Sequence, residues 1–185
     1  MEPRLGPLIH AHHTTGELTV DHAGLALQLE ALHPHSFGWA MACCGRRREE
    51  AEDVLHDVYV KVLDGSARFD GRSTLRTWLF GVIRRSAASH GRRVRLHAML
   101  GARVDGPGVQ PSPADEAVAG DRRDRTRRAM HLLSGRQREV LHLVFYQELT
   151  IEDAAAIMSV SVGSARVHYH RGKTRLAALL SEDRP

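Results

Sequence analysis

Cysteine is scarce in this sequence, and its only two cysteines, Cys43 and Cys44, are adjacent. Two thiols support neither a disulfide framework nor a four-thiolate zinc site. We therefore interpret the pair as small core residues of a protein in a reducing compartment. Aromatic residues make up 5% of the chain and apolar residues 42%, so a core can form but must be built mainly from aliphatic side chains.

Long apolar runs are also missing. No stretch approaches the roughly 18 residues that a membrane-spanning helix needs. The segment from Met1 to His10 lacks the basic-then-apolar order of a secretory signal. The sequence therefore predicts a soluble, cytoplasmic protein without membrane insertion.

The motifs of common enzymes are absent as well. The chain has no P-loop, no G-x-S-x-G nucleophile elbow and no H-E-x-x-H zinc helix. Its 13 histidines are scattered, and the cluster of His10, His12 and His13 has no further ligands spaced to complete a metal site. We expect no enzymatic activity, no cofactor and no metal centre.

Lysine is nearly absent, because only Lys61 and Lys173 are lysines and the other 24 of the 26 basic residues are arginines. The formal net charge is +4, but it is unevenly spread. Residues 1–60 carry 4 basic and 9 acidic side chains, whereas residues 61–100 carry 9 basic and 2 acidic ones. Such clustering is the expected footprint of a polyanion partner, although a solvated basic face would have the same composition.

Helical periodicity dominates the first half of the chain. Residues 21–44 follow an apolar helical pattern that Pro34 should kink or break. The next helix has acidic residues at its start and Asp64-Gly65 at its end, and a loop over residues 69–74 precedes a further helix that runs into the basic segment. The apolar stripes of these two helices are Val54, Leu55, Val58, Tyr59, Val62, Leu63 and Leu75, Trp78, Leu79, Val82, Ile83.

Residues 101–120 are rich in glycine and proline and lose this periodicity, so that a flexible linker is predicted over residues 98–124. No strand-like alternation stands out on either side. We expect an all-α protein with two small helical domains, residues 21–97 and 125–181, joined by the linker and preceded by a disordered extension, residues 1–20.

The second domain has the pattern of a helix-turn-helix. Ser134 with Gln137 is a capping-box signature, and Thr150 with Asp153 marks another helix start. The short connection 159–161 leads to a long last helix. The apolar stripe predicted after the capping box consists of Val140, Leu141, Val144 and Phe145.

The last helix, which should end near Leu180, has two different faces on a helical wheel. One face should pack on the domain: Ala165, Tyr169, Gly172, Leu176 and Leu179. The opposite face is small, basic and partly polar: Gly163, Val167, His170, Arg171 and Thr174, flanked by Arg166, Lys173 and Ser164. Such a face fits the major groove of DNA, where arginine reaches guanine; an ordinary amphipathic surface helix is the alternative.

Two sequence motifs follow one another along the chain. The first consists of A-E-D-V-L-H-D at residues 51–57 and F-D-G-R-S-T-L-R-T-W-L at residues 69–79; the second consists of L-S-G-R-Q-R-E-V-L at residues 133–141 and S-V-G-S-A-R at residues 161–166. The first resembles region 2, and the second region 4, of bacterial RNA polymerase sigma factors of the extracytoplasmic-function (ECF) type, in the sigma-70 family. The resemblance covers roughly residues 25–97 and 126–180.

The resemblance implies the fold of two helical domains and the function of a sigma factor, which binds core RNA polymerase and directs promoter recognition. Family members dock on the polymerase β′ clamp helices with the first motif's helix; the exposed candidates are Asp53, His56, Asp57 and Lys61, while Val54 and Val58 should pack. Contact with the β flap is also implied. Family members are commonly held inactive by an anti-sigma factor, and no residue shows whether this chain has one.

The resemblance also implies two DNA sites. At the −10 element the DNA duplex is opened and an unstacked base is held, which needs an aromatic surface for the base and basic side chains for the phosphates. The candidates are Phe69, Arg72, Ser73, Thr74, Arg76, Arg84, Arg85 and Arg92. Trp78 should belong to the core. Region 4 would read the −35 element as duplex, through Ser164, Arg166, Val167, His168, His170, Arg171 and Lys173.

Two departures from the family affect base preference. Arg85 stands where the family often has Asn, and Arg166-Val167-His168 stands where it often has Lys/Arg-Ser-Arg. The main alternative is a helix-turn-helix regulator that binds duplex DNA without polymerase. Such a regulator needs neither a polymerase-docking helix nor a strand-opening loop, so residues 51–80 argue against it. A third hypothesis is a helical interaction module, such as an RNA-binding or adaptor protein.

Overall fold

The structure, a computed structural model, describes residues 22–100 and 119–182. Within these ranges the chain forms helices and no strand, which confirms the all-α class. The helices are α1 (His22–Cys43), α2 (Arg48–Leu63), α3 (Leu75–Met99), α4 (Ala119–His131), α5 (Gly135–Leu141), α6 (Ile151–Met158) and α7 (Val162–Glu182), with a π-helical segment (His142–Tyr146) after α5. We call α1–α3 the N-terminal bundle and α4–α7 the C-terminal domain. None of the described helices is long and apolar enough to cross a membrane.

The N-terminal bundle is organised around a buried tryptophan. The ring of Trp39 in α1 stacks on that of Phe80 in α3, and its Nε1 donates a hydrogen bond to the Phe80 carbonyl oxygen at 3.0 Å. α2 contributes Val54 and Val58, which are buried as the sequence predicts. Since a buried indole N–H needs an acceptor, this bond fixes α1 against α3.

α2 begins and ends where the sequence predicts. Glu49 and Glu50 lie in its first turn, where negative charge stabilises the positive end of the helix dipole. Asp64 is the C-cap residue, and Gly65 follows with a φ of 76°, which glycine adopts without steric cost.

The interruption predicted at Pro34 is not a break, because α1 continues through it. Pro34 is exposed, and so is Glu30, whose carbonyl would otherwise accept a hydrogen bond from residue 34. A carbonyl on the solvent side of a helix is hydrated. The proline therefore lowers the stability of the helix less here than it would on the buried side.

Both predicted helix starts of the C-terminal domain are present. The backbone N–H of Ser134 donates to Gln137 Oε1 at 3.2 Å, and the backbone N–H of Asp153 donates to Thr150 Oγ1 at 3.1 Å. Ser159 has a left-handed φ of 55° between α6 and α7. α6 and α7 thus form the expected helix-turn-helix pair.

The segment after α5 does not keep an α-helical register. Residues His142–Tyr146 are π-helical, and the N–H of Gln147 donates to the carbonyl of His142 at 3.2 Å. Within this segment Leu143 is buried, whereas Phe145 is 54% exposed. The prediction that Phe145 belongs to the apolar stripe is therefore wrong.

The N-terminal bundle and the C-terminal domain share one hydrophobic core. α3 packs against α6, and the ring of His142 lies 5.4 Å from that of Trp39. Burial lowers the pKa of His142 to about 4, with the charge of Arg46 acting in the same direction. We call this packing of the two halves the closed arrangement.

Helix occupies both ends of the segment 98–124, for which the sequence predicts a linker, because α3 extends to Met99 and α4 begins at Ala119. Helical propensity at these ends outweighs the composition of the segment as a whole. The predicted disordered extension and the cluster of His10, His12 and His13 lie outside the described residues.

Cys43 and Cys44 are free thiols at the end of α1. Burial raises the pKa of Cys44 to about 11, and it raises the pKa of Cys43 well above its ordinary value. Since the thiolate is the reactive form, these thiols are poor nucleophiles and metal ligands, in agreement with a packing role.

Candidate protein and nucleic-acid interfaces

One face of α2 presents charged and polar groups to solvent. The four residues predicted to bind core polymerase are all exposed: Asp53, His56, Asp57 and Lys61. Asp57 lies 3.9 Å from Arg93 of α3, and both side chains are well exposed, so this pair contributes little to stability. Asp57 can therefore leave this ion pair and bind a charged group of a partner with little loss of stability.

The loop between α2 and α3, residues 64–74, is held by its own side chains. The carboxylate of Asp70 accepts a hydrogen bond from the N–H of Arg72 at 3.1 Å, and Gly71 adopts a φ of 72°. Thr74 caps α3, since its Oγ1 accepts from the N–H of Thr77 at 3.1 Å. The loop thus has a defined geometry although most of its side chains are exposed.

An aromatic pair lies at the base of this loop. Phe69 is 37% exposed, and its ring centroid lies 5.5 Å from that of Trp78, with the ring planes at 57°. Trp78 is half-buried against the core. It therefore serves both as a core residue, as predicted, and as the support on which Phe69 rests.

The predicted −10 residues divide into an exposed and a covered set. The exposed set is Phe69, Arg72, Ser73, Thr74, Arg85 and Arg92. Arg76 and Arg84 are half-buried and face the C-terminal domain. The structure therefore does not bring all the predicted arginines together on one open surface.

The two covered arginines have partners in the C-terminal domain. Arg76 Nη2 donates to the Gln147 carbonyl oxygen at 2.7 Å and to Gln147 Oε1 at 3.1 Å. Arg84 Nε donates to Glu139 Oε1 at 2.8 Å. Asp153 completes the contact, because Thr77 Oγ1 donates to its Oδ1 at 3.0 Å.

These contacts involve residues that the sequence analysis did not place at any site: His35, Thr77, Glu139 and Gln147. Asp153 was identified only as part of a helix start. Each contact joins residues that are far apart in the sequence, so no local pattern could reveal it.

α7 has the two faces that the helical wheel predicts. Ala165 and Gly172 are buried, whereas Val167 is 46% exposed at the centre of the outer face. The other predicted −35 residues are exposed except for His168, which is half-buried: Ser164, Arg166, His170, Arg171 and Lys173.

The start of α7 is fixed by polar contacts. Ser161 Oγ accepts from the backbone N–H of Ser164 at 3.1 Å, which caps the helix. Arg166 Nη2 lies 3.0 Å from Glu152 Oε1 of α6, with both side chains exposed. This ion pair orients Arg166 at the edge of the outer face.

No group of three or more His, Cys, Asp and Glu side chains in the described ranges could hold a metal ion. The groups that these surfaces present are charged side chains, arginine guanidinium groups and aromatic rings such as that of Phe69.

Two family models match the chain in order along the sequence. The model of Sigma-70 region 2 matches residues 29–96, and that of Sigma-70, region 4 matches residues 123–176. Among curated relatives, the ECF RNA polymerase sigma factor BldN of Streptomyces coelicolor is 28% identical over 137 residues, which is 72% of this chain and 52% of BldN. The chain thus spans about half of the length of that relative.

Other relatives match over a larger share of their length. The ECF RNA polymerase sigma factor SigX of Bacillus subtilis is 28% identical over 131 residues, covering 68% of each chain. Among solved structures, the sigma factor RpoE of Bartonella quintana, in complex with the anti-sigma factor NepR, aligns with a TM-score of 0.67 and 25% identity over 87% of this chain and 99% of RpoE. The two region models, in this order and over most of the described residues, place the chain in the sigma-70 family of RNA polymerase sigma factors, and relatives such as BldN and SigX identify it as one of the ECF type.

Proposed function

We propose that this sigma factor binds the β′ clamp helices of core RNA polymerase through the exposed face of α2, and the β flap through its C-terminal domain. Asp53, His56, Asp57 and Lys61 are held outward because the neighbouring valines of α2 are buried. These exposed charged side chains contribute little to the stability of the fold, so they are available to bind a partner. The protein would act in the cytoplasm with polymerase, by binding rather than by catalysis.

At the −10 element, the loop 64–74 and α3 are proposed to open the duplex and hold one unstacked base. The observation that carries this proposal is the pair of Phe69 and Trp78, an accessible aromatic ring resting on a half-buried one. Single-strand binding combines such a stacking surface with cations that track the phosphates. The exposed arginines that can supply these cations are Arg72 in the loop and Arg85 and Arg92 in α3.

At the −35 element, α7 is proposed to enter the major groove. Val167 is exposed and has no packing role, and the apolar group that it can meet in the groove is a thymine methyl. Arg171 is exposed on the same face and can pair with guanine. Arg166 and Lys173, on the flank, would hold phosphates and set salt dependence rather than sequence.

An anti-sigma factor is a further proposed partner. The support is RpoE, which was solved with the anti-sigma factor NepR and has a similar fold over almost its whole length. An anti-sigma factor that covers the exposed face of α2, the loop 64–74 or the outer face of α7 would compete there with core polymerase or promoter DNA.

Transcription from two forms of one promoter tests the −10 proposal. One template is a full duplex, and the other is pre-opened by mismatches at −10. Stacking of a base on an aromatic ring contributes about 1–3 kcal/mol, so Phe69→Ala should reduce transcription from the duplex by roughly 5- to 150-fold and from the pre-opened template far less. Phe145→Ala, which removes another exposed aromatic ring, is the matched control and should affect both templates alike. Equal losses on both templates with Phe69→Ala would refute a role in opening DNA.

A further inference from the structure

Cationic side chains from both halves of the molecule meet where the end of α1 lies beside α4 and α5. Arg46 follows α1, and Arg138 belongs to α5. Arg127 and His131 are one turn apart in α4 and so share one of its faces. Arg138 Nη1 donates to His131 Nδ1 at 3.3 Å. We call these four residues the junction cluster.

The turn that ends α1 places Arg46 in this cluster. Its backbone N–H donates to the carbonyl oxygen of Met41 at 2.7 Å, and its φ is 67°. A left-handed residue of this kind turns the chain out of the helix. Burial raises the pKa of Cys43, and the charge of Glu139 in α5 adds to this effect. The end of α1 therefore lies close to α5.

The cluster concentrates positive charge around one imidazole. Burial lowers the pKa of His131, and three neighbouring cations lower it further: Arg138, Arg46 and Arg127. The charge of Arg46 also acts on His142, the first residue after α5. An arginine of the N-terminal bundle and two of the C-terminal domain thus lie near the same group.

Carboxylates compensate only part of this charge. Asp124 pairs with Arg127 at 2.5 Å within α4. Glu139 is next to Arg138 in the sequence but pairs with an arginine of α3. Within residues 22–100 and 119–182, neither Arg46 nor Arg138 forms an ion pair with a carboxylate.

The three arginines and Asp124 leave the cluster with a net charge of +2 when His131 is neutral. The negative ends of the α1 and α5 dipoles stabilise one cation each. They do not remove the repulsion between Arg46 and Arg138, which belong to different halves. An anion bound between these two arginines would remove it.

We propose that the junction cluster binds a phosphate dianion, free or as the terminal phosphate of a small molecule, between Arg46 and Arg138. A guanidinium group binds phosphate oxygens through two parallel N–H bonds. A terminal phosphate carries a charge of about −1.5 to −2 at pH 7, which matches the charge of the cluster, whereas a phosphodiester carries a single charge. Because the anion contacts both halves, it stabilises the closed arrangement by mass action.

Inorganic phosphate is the first probe for this site. It is titrated into the full chain at constant ionic strength, with chloride as the replacing anion. Calorimetry gives affinity and stoichiometry, and thermal unfolding followed by circular dichroism gives the melting temperature. The variants are Arg46→Gln and Arg138→Gln. Arg95→Gln, at an exposed arginine of α3, is the matched control because it removes the same charge elsewhere.

One phosphate should bind per chain and raise the melting temperature. Each cluster variant should weaken phosphate binding by about tenfold or more, since it loses a charged hydrogen bond, whereas Arg95→Gln should change it by less than about twofold. Adenosine monophosphate, which carries a terminal phosphate, should show the same dependence on Arg46 and Arg138.

Equal affinities of the three variants, or a melting temperature that phosphate does not raise, would overturn the proposal. An effect of Arg138→Gln without one of Arg46→Gln would show that no anion joins the two halves, and would overturn it as well. A duplex fragment without promoter sequence separates the other source of phosphate. If the cluster variants weaken binding of the duplex and leave binding of phosphate and adenosine monophosphate unchanged, the cluster belongs to a DNA surface and the dianion site is refuted.

Discussion

His142 should make the stability of this protein depend on pH. Its ring lies between those of Trp39 and Tyr146, with centroids 5.4 and 5.2 Å away. Its Nε2 lies 3.4 Å from Nε2 of Gln147, an amide nitrogen that can only donate. The imidazole must therefore be neutral and accept this hydrogen bond. Burial lowers the pKa of His142 to about 4, from an ordinary value of 6.5.

The sign and size of the effect follow from these two values. Above pH 6.5 the imidazole is neutral in both the folded and the unfolded chain, and its contribution to stability is fully present. As the pH falls from 6.5 towards 4, the unfolded chain binds a proton that the folded chain does not. The free energy of unfolding then falls by about 1.4 kcal/mol per pH unit, or roughly 3 kcal/mol over the whole interval.

Urea denaturation followed by helical circular dichroism, at half-unit steps of pH, measures this dependence. His142→Phe keeps an aromatic ring between the two neighbours and removes this titrating group, so its stability should fall much less than that of the wild type over this interval; the remaining slope comes from groups such as His131, whose pKa is also lowered by burial. His97→Asn, at an exposed histidine of α3, should follow the wild type. A curve for His142→Phe that falls as steeply as that of the wild type between pH 6.5 and 4.5 would refute the reasoning.

The remaining predictions concern packing and the two other interfaces. Gly172→Ala should lower stability by about 1–3 kcal/mol in thermal unfolding, because its Cβ would lie 3.1 Å from a side-chain carbon of α5, whereas Gly163→Ala has no neighbour closer than 3.9 Å and should not. Charge reversal at Asp53 and Asp57 together should weaken co-elution with core polymerase in size exclusion and leave helicity intact. Val167→Ser should shift base preference at one −35 position in a selected promoter library, because it removes an apolar groove contact.

Each of these predictions can fail in a defined way. Equal melting temperatures of the two glycine variants would mean that α7 does not approach α5 closely at Gly172. Undiminished co-elution of the doubly reversed variant would remove α2 from the polymerase interface. An unchanged sequence preference for Val167→Ser would mean that α7 enters the groove at another angle. Arg166→Ala is the control for that selection, and it should weaken binding to all sequences alike.

Features set by neighbouring residues could be predicted from the sequence. The cap that Thr150 provides to α6 depends on four consecutive residues, and the two faces of α7 depend only on helical periodicity. The loop centred on Asp70-Gly71 is likewise local, because the side chain of Asp70 bonds two residues onward. The exposed face of α2 follows from the spacing of its buried valines.

Features that depend on distant residues could not be predicted in this way. The apolar pattern after the capping box includes Phe145, whereas the structure buries Leu143 and exposes Phe145 in a π-helical segment that the local pattern does not reveal. The covered state of Arg76 and Arg84 depends on partners more than fifty residues away along the chain. Pro34 leaves the carbonyl of Glu30 without its helical partner, and whether water can replace that partner depends on the exposure of this side of α1, which the local pattern does not give.

Run-off transcription with purified core RNA polymerase tests the central claim most directly. Core polymerase alone, and core polymerase with this chain, are given a library of promoter fragments, and the 5′ ends of the transcripts are mapped. The account predicts discrete start sites that appear only when the chain is present, that share −10 and −35 sequences, and that are lost with the variant reversed at Asp53 and Asp57. Transcripts identical to those of core polymerase alone, with the chain bound to the duplex fragments but eluting apart from the polymerase, would contradict it.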